Sequence, residues 1–398
     1  MKYEDIIKVK KNYNKNERFK IEEFVLKLLS KFYRTNKIVF EYSLYAHFVE
    51  YLKYICLKIY YKNLNVYVKD KIIFKAYASL AENLNMTSSV DYNNKVINLK
   101  KEFILTHEEQ QKILKDEIAK SNQMIKRMYK SYHFIVTSQK NRKLFKTATA
   151  NYMYYLIIYT RELENISLQN KVDPTFDETF YTDLGEVAFK LFNKPNFQKV
   201  ISKIQSNNIL DIGCGNGNFI DTFLENNEKS NVVGVERQNI VCERLKEKYK
   251  NIENTQIIND DIKNVVLNTK FDVINISYML FYLSSQEQYS LIKTISSLLA
   301  EEGKVIICQY FPDIEDIQMK IAMEDNKWNK IDRYKFKISN AILYAEVLLN
   351  DSLSHFNHAS RFDEFCDIVK NANLHINEIN KADNNYYSFY IILSKIGT

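Results

Sequence analysis

Hydrophobic positions along this chain follow two patterns, one in each half. Between residues 21 and about 165 they recur at helical spacing, and the segments 39–61 and 147–160 are the most apolar and aromatic parts of this half. Thr106 and Glu109 form a capping box that predicts the start of another helix. No glycine and no proline interrupts these segments, so the first half is predicted to be all-helical.

After Pro174 the apolar positions come in short runs separated by helical stretches. Five runs that alternate with helices predict parallel strands joined by right-handed crossovers. Two further runs end the chain, and the turn between them is too short for a crossover helix, so they predict an antiparallel hairpin. A second capping box, Ser284 to Glu287, predicts the start of one helix. The predicted strands are NILDIG (208–213), NVVGVE (231–236), TQIIND (255–260), FDVINIS (271–277), KVIICQY (304–310), LHINEIN (374–380) and SFYIILSK (388–395).

Length and charge favour two domains. A chain of 398 residues exceeds the roughly 250–300 residues over which a single core usually grows. Residues 1–170 hold 31 Lys and Arg against 17 Asp and Glu, a net +14, whereas residues 171–398 hold 25 against 32, a net −7. We therefore expect a helical domain over residues 1–170 and a sheet domain over residues 171–398. The basic first half favours either an anionic partner, such as an acidic carrier protein or nucleic acid, or a lysine-rich surface that docks on the acidic half.

Composition excludes some kinds of site and some cellular locations. The five cysteines are scattered, without a C-x-x-C pair, so neither a metal site nor a disulfide framework is predicted. The first 20 residues are charged and polar, and no apolar run approaches the roughly 18 residues of a membrane span. We expect a reduced, cytoplasmic protein without a membrane contact.

Three of the chain's seven glycines lie within five positions, after the first predicted strand. Gly213, Gly215 and Gly217 follow Asp211 in the order D-x-G-x-G-x-G, and a helix comes next. Dinucleotide-binding turns instead run G-x-G-x-x-G, and here Asn218 occupies the position of the third glycine. No G-K-[ST] follows, so a phosphate-binding P-loop is not predicted either. The spacing predicts a ligand site at the carboxyl end of this strand, for a ligand that is not held by phosphates.

This stretch resembles motif I of the class I S-adenosylmethionine-dependent methyltransferases, and the resemblance continues in register through residues 208–310. It implies a Rossmann-like, seven-stranded methyltransferase domain that binds S-adenosylmethionine and releases S-adenosylhomocysteine. In such enzymes the glycine loop underlies the methionine part of the cofactor, and acidic residues after the second and third strands bind the ribose hydroxyls and the adenine amino group. The end of the fourth strand faces the methyl group. The cofactor-binding residues implied here are Asp211, Gly213, Cys214, Gly215, Gly217, Glu236, Arg237, Asp260, Asp261, Ile262, Ser277 and Tyr278.

The residues that handle the methyl acceptor are less clearly marked in the sequence. Small-molecule O-methyltransferases often place a histidine base just after the fourth strand, where this chain has Phe281. The resemblance implies a lid in the insert of about 311–360, between the fifth strand and the next helix. The candidate catalytic residues are His355 and His358, and the candidate substrate contacts are Tyr181, Tyr282 and Trp328.

The resemblance implies an enzyme of the small-molecule type, active in specialised metabolism on a small-molecule or carrier-bound oxygen, nitrogen or carbon nucleophile. Helical modules fused to this fold commonly cover the substrate pocket and mediate homodimerisation, and we expect the same of residues 1–170. The alternative is a DNA, RNA or protein methyltransferase that uses the basic module; Asn275 and Tyr278 have the spacing of the N-P-P-Y motif of base-methylating enzymes, but both prolines are missing. A non-catalytic protein that binds the cofactor is a second alternative, because binding requires the same residues.

Overall fold

The structure, a computed structural model, describes most of the chain, including the whole predicted sheet. The helical segment at residues 21–33, the segment 147–160 and much of the insert lie outside the described residues. The described residues are 37–63, 70–115, 162–163, 165–174, 180–204, 206–313, 318, 321, 330–354, 356–357, 360–384 and 386–397.

The first half of the chain is built mainly of helices. Asp70 caps the second of them with its carboxylate, which accepts hydrogen bonds from the backbone N–H groups of Ile72 and Ile73. The first predicted capping box is confirmed, because the Thr106 N–H donates to the Glu109 carboxylate and the Glu109 N–H donates to the Thr106 hydroxyl. The elements are α1 (Lys37–Asn63), α2 (Lys71–Asn83), β1 (Thr87–Asp91), β2 (Val96–Leu99), a 3₁₀ turn (Lys101–Phe103) and α3 (His107–Lys115).

Strands β1 and β2 form an antiparallel hairpin, which corrects the expectation of an all-helical first half. The Asp91 side chain accepts hydrogen bonds from the backbone N–H groups of Asn93 and Asn94, each over 3.0 Å. Asp and Asn favour tight turns because their side chains bond to nearby backbone in this way. Ile97 and Leu99 of β2 are buried between exposed neighbours, so the hairpin packs one face on the helices.

Seven strands of the second half form one sheet in the order β5-β4-β3-β6-β7-β9-β8. Neighbours run parallel from β5 to β7, whereas β9 pairs antiparallel with both β7 and β8, so the predicted parallel sheet and closing hairpin are confirmed. The strand order changes direction between β3 and β6, and α/β sheets bind ligands at the carboxyl ends of strands at such a point. The strands are β3 (Asn208–Ile212), β4 (Asn231–Glu236), β5 (Thr255–Asn259), β6 (Phe271–Ser277), β7 (Leu299–Gln309), β8 (Leu374–Lys381) and β9 (Phe389–Lys395).

Helices alternate with these strands, as predicted. The second capping box is confirmed, because Ser284 and Glu287 each accept a hydrogen bond from the other's backbone N–H. Among the described residues, no helix is long and apolar enough to span a bilayer. The elements are α4 (Phe180–Ala188), a π-helical turn (Phe189–Asn193), α5 (Lys194–Ile201), α6 (Asn218–Asn226), α7 (Asn239–Tyr249), a 3₁₀ turn (Leu280–Tyr282), α8 (Ser285–Leu298), α9 (Lys330–Ser352) and α10 (Phe362–Asn371).

Helix α9, which belongs to the insert, packs against α2 and α1 of the first half. Its buried Leu348 and Leu349 share one core with Leu52 of α1. The chain segment that leads from the first half to the sheet is fastened to the same helix: Val172 forms a parallel bridge with Leu353, with backbone hydrogen bonds of 2.8 and 2.9 Å on its two sides. The insert is thereby held against the first half of the chain. The division into two domains at residue 170 stays a prediction.

Candidate functional site

The glycine loop follows β3, at the point where the strand order changes direction. Gly213, Gly215 and Gly217 all have positive φ, between +50° and +74°, which glycine adopts without steric strain. The loop is tied to β4, because the N–H groups of Gly213 and Cys214 both donate to the Val235 carbonyl, over 2.8 and 3.2 Å. The backbone therefore turns tightly over the end of β4 before α6 begins.

Packing explains two of the glycines in this region independently of any ligand. A Cβ at Gly217 would lie 2.3 Å from the Tyr249 hydroxyl, and a Cβ at Gly234 would lie 2.9 Å from Ile220 and 3.0 Å from the Cys214 sulfur. All three distances are too short for a Cβ and a non-bonded atom, so a larger residue would force its neighbours to move. The buried Cys214 thiol rests on Gly234, so Cys214 offers a ligand its backbone only.

Asp211 in β3 is buried, with 1% of its surface exposed. Asn275 of the adjacent β6 donates to Asp211 Oδ1 over 2.7 Å and accepts a hydrogen bond from the Ser277 hydroxyl over 3.2 Å. Asp211 Oδ2 is also buried and has no hydrogen-bond partner among the described residues. Burial raises the pKa of Asp211 to about 7, a shift that the Asn275 hydrogen bond opposes and the Glu236 charge increases. This carboxyl is therefore suited to a ligand group with a positive charge.

Glu236 ends β4, and its carboxylate is held by two backbone donors. The Gly215 N–H donates to Oε2 over 3.0 Å, and the Gln238 N–H donates to Oε1 over 2.9 Å. A carboxylate has about four acceptor positions, so two further hydroxyl groups can still donate to it. Asn259, at the end of β5, donates from its side chain to the backbone carbonyls of Glu236 and Arg237 and holds the strand end in place.

Asp260 and Asp261 follow β5 at the same edge of the sheet. Asp260 accepts hydrogen bonds from the Asp261 N–H and the Asn264 side chain, and Asp261 accepts one from the Lys263 N–H over 3.0 Å. Ile262 is buried and anchors this turn on the core. The structure thus brings both carboxylates next to the end of β4, and the adenine-binding role of Asp261 stays a prediction.

Helix α4 packs against one side of the glycine loop. Asn216, within the loop, donates from its side chain to the Thr182 carbonyl and the Glu186 carboxylate, over 3.1 and 2.9 Å. The Thr182 methyl group lies 3.7 Å from the place that a Cβ of Gly215 would take. Tyr181, predicted to contact the substrate, therefore lies next to the loop in the first turn of α4.

The chain turns sharply after β6 at Tyr278, whose φ is +53°. Its hydroxyl forms a 2.6 Å hydrogen bond with the Ser388 hydroxyl and accepts another from the Asn193 side chain over 3.2 Å. Non-glycine residues with such backbones concentrate at functional sites, because the surrounding structure must hold them there. The side chains of Asn275 and Tyr278 both have internal partners, so their N-P-P-Y-like spacing gives no support for a site that grips a nucleic-acid base.

Five aromatic rings, called the aromatic cluster below, pack together beyond the ends of β6 and β7. Phe281 stacks on Tyr310 and on Phe356, with ring centroids 5.4 Å apart in both pairs. Tyr282 stacks on Phe356 at 4.7 Å, and Tyr181 meets Tyr282 and Phe356 edge to face. Phe281, at the position where related enzymes carry a histidine base, is therefore a wall of the aromatic cluster and supplies no base.

Arg237 joins the two parts of the site. It follows Glu236 directly, and its guanidinium carbon lies 5.9 Å from the centre of the Tyr282 ring. Burial raises the pKa of the Tyr282 hydroxyl, and the charges of Arg237 and Glu236 both act on it, in opposite directions. The structure thus brings the two predicted substrate contacts, Tyr181 and Tyr282, together beside the predicted cofactor residues.

Glu346 on α9 lies near the aromatic cluster, although it was not among the site residues predicted from the sequence. Its charge raises the pKa of the hydroxyls of Tyr181, Tyr282 and Tyr310, three members of the aromatic cluster. Burial raises the pKa of Glu346 itself to about 8, although a hydrogen bond with Asn350 lowers it. A signal was present in the sequence, because Glu346 is the single charged residue in AILYAEVLLN, a strongly apolar stretch of the insert.

The candidate catalytic residues His355 and His358 and the candidate substrate contact Trp328 lie outside the described residues, so their roles stay predictions. The two residues between the histidines are described. Phe356 belongs to the aromatic cluster, and the Asn357 side chain donates to the Tyr282 carbonyl over 2.6 Å.

Known proteins match this chain in sequence and in structure. A family model described as a methyltransferase domain matches residues 209–303. The malonyl-[acyl-carrier protein] O-methyltransferase 2 of Ilyobacter polytropus is 28% identical over 143 residues, which are 32% of this chain and 54% of that protein. This chain thus spans about half the length of the curated relative that it matches. An O-methyltransferase family 2 protein from Planctomyces limnophilus, solved in complex with apigenin, superposes with a TM-score of 0.53 at 12% identity, covering 89% of this chain and 96% of that one.

The matched residues coincide with the site. The stretch 209–303 begins in β3 and ends in β7, and it contains the glycine loop, Glu236 and Asp261. The likeness to the Planctomyces structure extends over most of the chain and shows that the two share a fold.

Proposed function

We propose that this class I S-adenosylmethionine-dependent methyltransferase transfers the methyl group to a small-molecule or carrier-bound acceptor that packs on the aromatic cluster. One observation carries the proposal: Arg237, directly after Glu236, lies over the ring of Tyr282. A nucleoside bound at Glu236 and an acceptor bound at Tyr282 would therefore be neighbours, as methyl transfer requires.

The residues at the strand ends fit the cofactor. S-adenosylmethionine carries an ammonium and a sulfonium group, and Asp211 Oδ2 is a buried carboxylate oxygen without a partner among the described residues. Glu236 retains acceptor positions for the two ribose hydroxyls, and Asp261 lies at the next strand for the adenine amino group. When bound, the cofactor supplies a methyl carbon activated by a positively charged sulfur. The chain's own residues would supply position and exclude water, effects that reach about 10⁵–10⁸ M of effective molarity in well-oriented reactions.

The aromatic cluster supports an acceptor with an apolar body. Phe281, Tyr310 and Phe356 are buried, whereas Tyr181 and Tyr282 are partly exposed and present apolar ring surface to an acceptor. Both kinds of acceptor occur in the names of the matched proteins. The Ilyobacter relative is named for a carrier-bound malonyl group, and the Planctomyces structure was solved with the small molecule apigenin. The net +14 of residues 1–170 would suit an acidic carrier.

Two measurements on the full chain test this function. Isothermal titration should show one S-adenosylhomocysteine bound per chain, and mass spectrometry should then detect a 14-Da gain on an acceptor in a library of free and carrier-bound compounds incubated with S-adenosylmethionine. Absence of S-adenosylhomocysteine binding would refute the proposed methyl transfer. Binding without any methylated product would favour the alternative of a non-catalytic protein that senses the cofactor. Methylation of RNA or DNA would favour the alternative in which the basic first half binds nucleic acid.

A further inference from the structure

We infer that Glu346 contacts the nucleophilic group of the acceptor and removes its proton during methyl transfer, a role that rests on the function proposed above. The acceptor is then an uncharged hydroxyl group on an apolar or aromatic body. In the function proposed above, the carboxylates of the cofactor motif bind groups of the cofactor itself, and Phe281 occupies the position at which small-molecule O-methyltransferases often carry a histidine base.

The position of Glu346 supports this role. Asn350, one helical turn further along α9, shares its face, because residues four apart lie one above the other. The Asn350 side chain donates to the Tyr310 hydroxyl over 2.6 Å and accepts from the Tyr181 hydroxyl over 3.5 Å. This face of α9 is therefore turned toward the aromatic cluster. Glu346 is a carboxyl group on that face. It lies near the proposed cofactor site, because the charges of Glu346 and of Glu236 both act on the Tyr282 hydroxyl.

The side chains that interact with Glu346 are uncharged near neutral pH: Tyr181 of α4, Tyr282 of the turn after β6, Tyr310 at the end of β7 and Asn350 of the same helix. Charged groups act on these tyrosines in turn, namely Glu162 on Tyr181, Arg237 on Tyr282 and Asp351 on Tyr310. No charged side chain of α1 or α2, within the described residues, shifts the pKa of Glu346. Burial therefore dominates, and the pKa of about 8 lies close to the working pH of most enzymes. A general base is most effective when its pKa is near that pH.

The proposed step balances in atoms and in charge. The O–H bond of the acceptor breaks, and its proton moves to the Glu346 carboxylate, which becomes a carboxylic acid. A lone pair of the acceptor oxygen forms the new bond to the methyl carbon, and the carbon–sulfur bond breaks with its electron pair left on sulfur. Glu346 then returns its proton to water when the products leave.

The surroundings of Glu346 favour a hydroxyl over a carboxylate as the acceptor. A carboxylate has no proton to give at neutral pH, and its charge would lie beside that of Glu346 in a poorly solvated place. A neutral hydroxyl can donate its hydrogen bond to Glu346, while the rest of the molecule packs on the rings of Tyr181 and Tyr282. The acceptor would thus differ in kind from the carrier-bound malonyl group in the name of the Ilyobacter relative.

The first test needs no turnover, because a carboxyl with a raised pKa makes the stability of the folded protein depend on pH. The folded-state pKa of about 8 lies above the usual 4.5, so the folded protein binds this proton more tightly than the unfolded chain. The contribution of Glu346 to stability is therefore full below about pH 4.5, falls as the pH rises through 8 and is constant above that. A glutamine keeps the shape and the neutral charge at every pH.

Melting curves of the wild type and of Glu346→Gln should accordingly agree near pH 5 and separate above it. We expect the variant to melt at the higher temperature at pH 9, with an affinity for S-adenosylhomocysteine within twofold of the wild type. Glu247→Gln, the same change at a side chain that is 73% exposed, is the control and should show no difference that grows with pH.

The second test uses phenol, 4-nitrophenol and benzoate as probes with S-adenosylmethionine at pH 8. We expect the wild type to methylate phenol with the higher kcat/KM, 4-nitrophenol with a lower one because its anion must bind beside Glu346, and benzoate not at all because its charge is confined to the carboxylate. Glu346→Gln should lower kcat/KM for phenol by about 10²–10⁴. The loss for 4-nitrophenol, which is already ionised at this pH, should stay below about tenfold, because no proton remains to be removed. Glu346→Asp should keep the wild-type preference between the two phenols at a lower kcat.

The outcomes separate the role of Glu346 from the proposed function. If the wild type fails to bind S-adenosylhomocysteine, the proposed function itself is refuted. If it binds, then equal losses for phenol and 4-nitrophenol, methylation of benzoate alone, no turnover of any probe, or a melting difference that does not change with pH each overturn the role of Glu346. In those cases methyl transfer to another acceptor still stands.

Discussion

The two regions of the site are held together in different ways. On the proposed cofactor side the contacts are hydrogen bonds of the backbone. The N–H groups of Gly215 and Gln238 donate to Glu236, and the Val235 carbonyl accepts from the loop. On the acceptor side, side chains pack between distant segments, so that Tyr181 reaches Asn350 across 169 positions of the chain. Backbone turns are set by neighbouring residues, whereas the aromatic cluster exists only after the whole chain has folded. A substitution in one region should therefore leave the properties of the other region unchanged. Four variants test this independence.

The largest effect is expected at Phe356, which contacts three other rings of the aromatic cluster. Phe356→Ala should lower the free energy of unfolding by about 3–5 kcal/mol, because it leaves a cavity among buried side chains. Urea unfolding measures this loss, and titration at a temperature where the variant is folded measures cofactor binding. If the regions are independent, the affinity for S-adenosylhomocysteine stays within threefold; a loss of both together would show that the two regions form one cooperative unit.

The next effect is expected on the cofactor side. Glu236→Ala should weaken S-adenosylhomocysteine binding by about 100-fold, or about 3 kcal/mol, because each hydrogen bond to a charged group contributes about 1.5–3 kcal/mol. Calorimetric titration gives the affinity, and Glu243→Ala, an exposed glutamate seven positions further on, is the control that should bind as the wild type does. Unchanged affinity in Glu236→Ala would contradict the ribose-binding role.

Gly217→Ala distinguishes packing from ligand binding within the glycine loop. The new Cβ would lie 2.3 Å from the Tyr249 hydroxyl, and the φ of +74° disfavours alanine, so the variant should lose about 2–3 kcal/mol of stability. Gly185→Ala is the matched control, since nothing lies within 4 Å of its Cβ position in α4 and alanine favours helices by about 1 kcal/mol. Thermal unfolding should rank Gly185→Ala above and Gly217→Ala below the wild type. The reverse order would contradict the packing explanation.

The smallest effect concerns the charge of Asp211. Because burial raises its pKa to about 7, the carboxyl is largely neutral at pH 6 and charged at pH 8, where it attracts the ammonium group of the ligand. The affinity for S-adenosylhomocysteine should therefore rise by up to about tenfold from pH 6 to pH 8, which is about 1.4 kcal/mol. Titrations at the two pH values measure the rise, and Asp211→Asn should flatten it. An equal rise in the variant would assign the pH dependence to another group.

The sequence predicted the sheet around the glycine loop well because its signals are local. Every strand of the sheet, both capping boxes and the closing hairpin follow from short patterns, and Glu236 follows from its place at a strand end. The hairpin of β1 and β2 was missed because its strands are short and its turn depends on the Asp91 side chain. Glu346 was missed for another reason: whether a lone glutamate on a helix is buried depends on which surfaces that helix meets, and no local pattern records it.

The packing of helix α9 limits how the segments of such a protein can be exchanged by recombination. Its leucines complete the core of α1 and α2, and the bridge between Val172 and Leu353 ties it to the segment that follows those helices. A recombination event that exchanged the first half without the insert would therefore leave two apolar surfaces exposed to water. The two segments must change together during evolution, although more than 150 positions separate them. The matched stretch 209–303 lies between them and takes no part in this pairing, so it can change at a different rate.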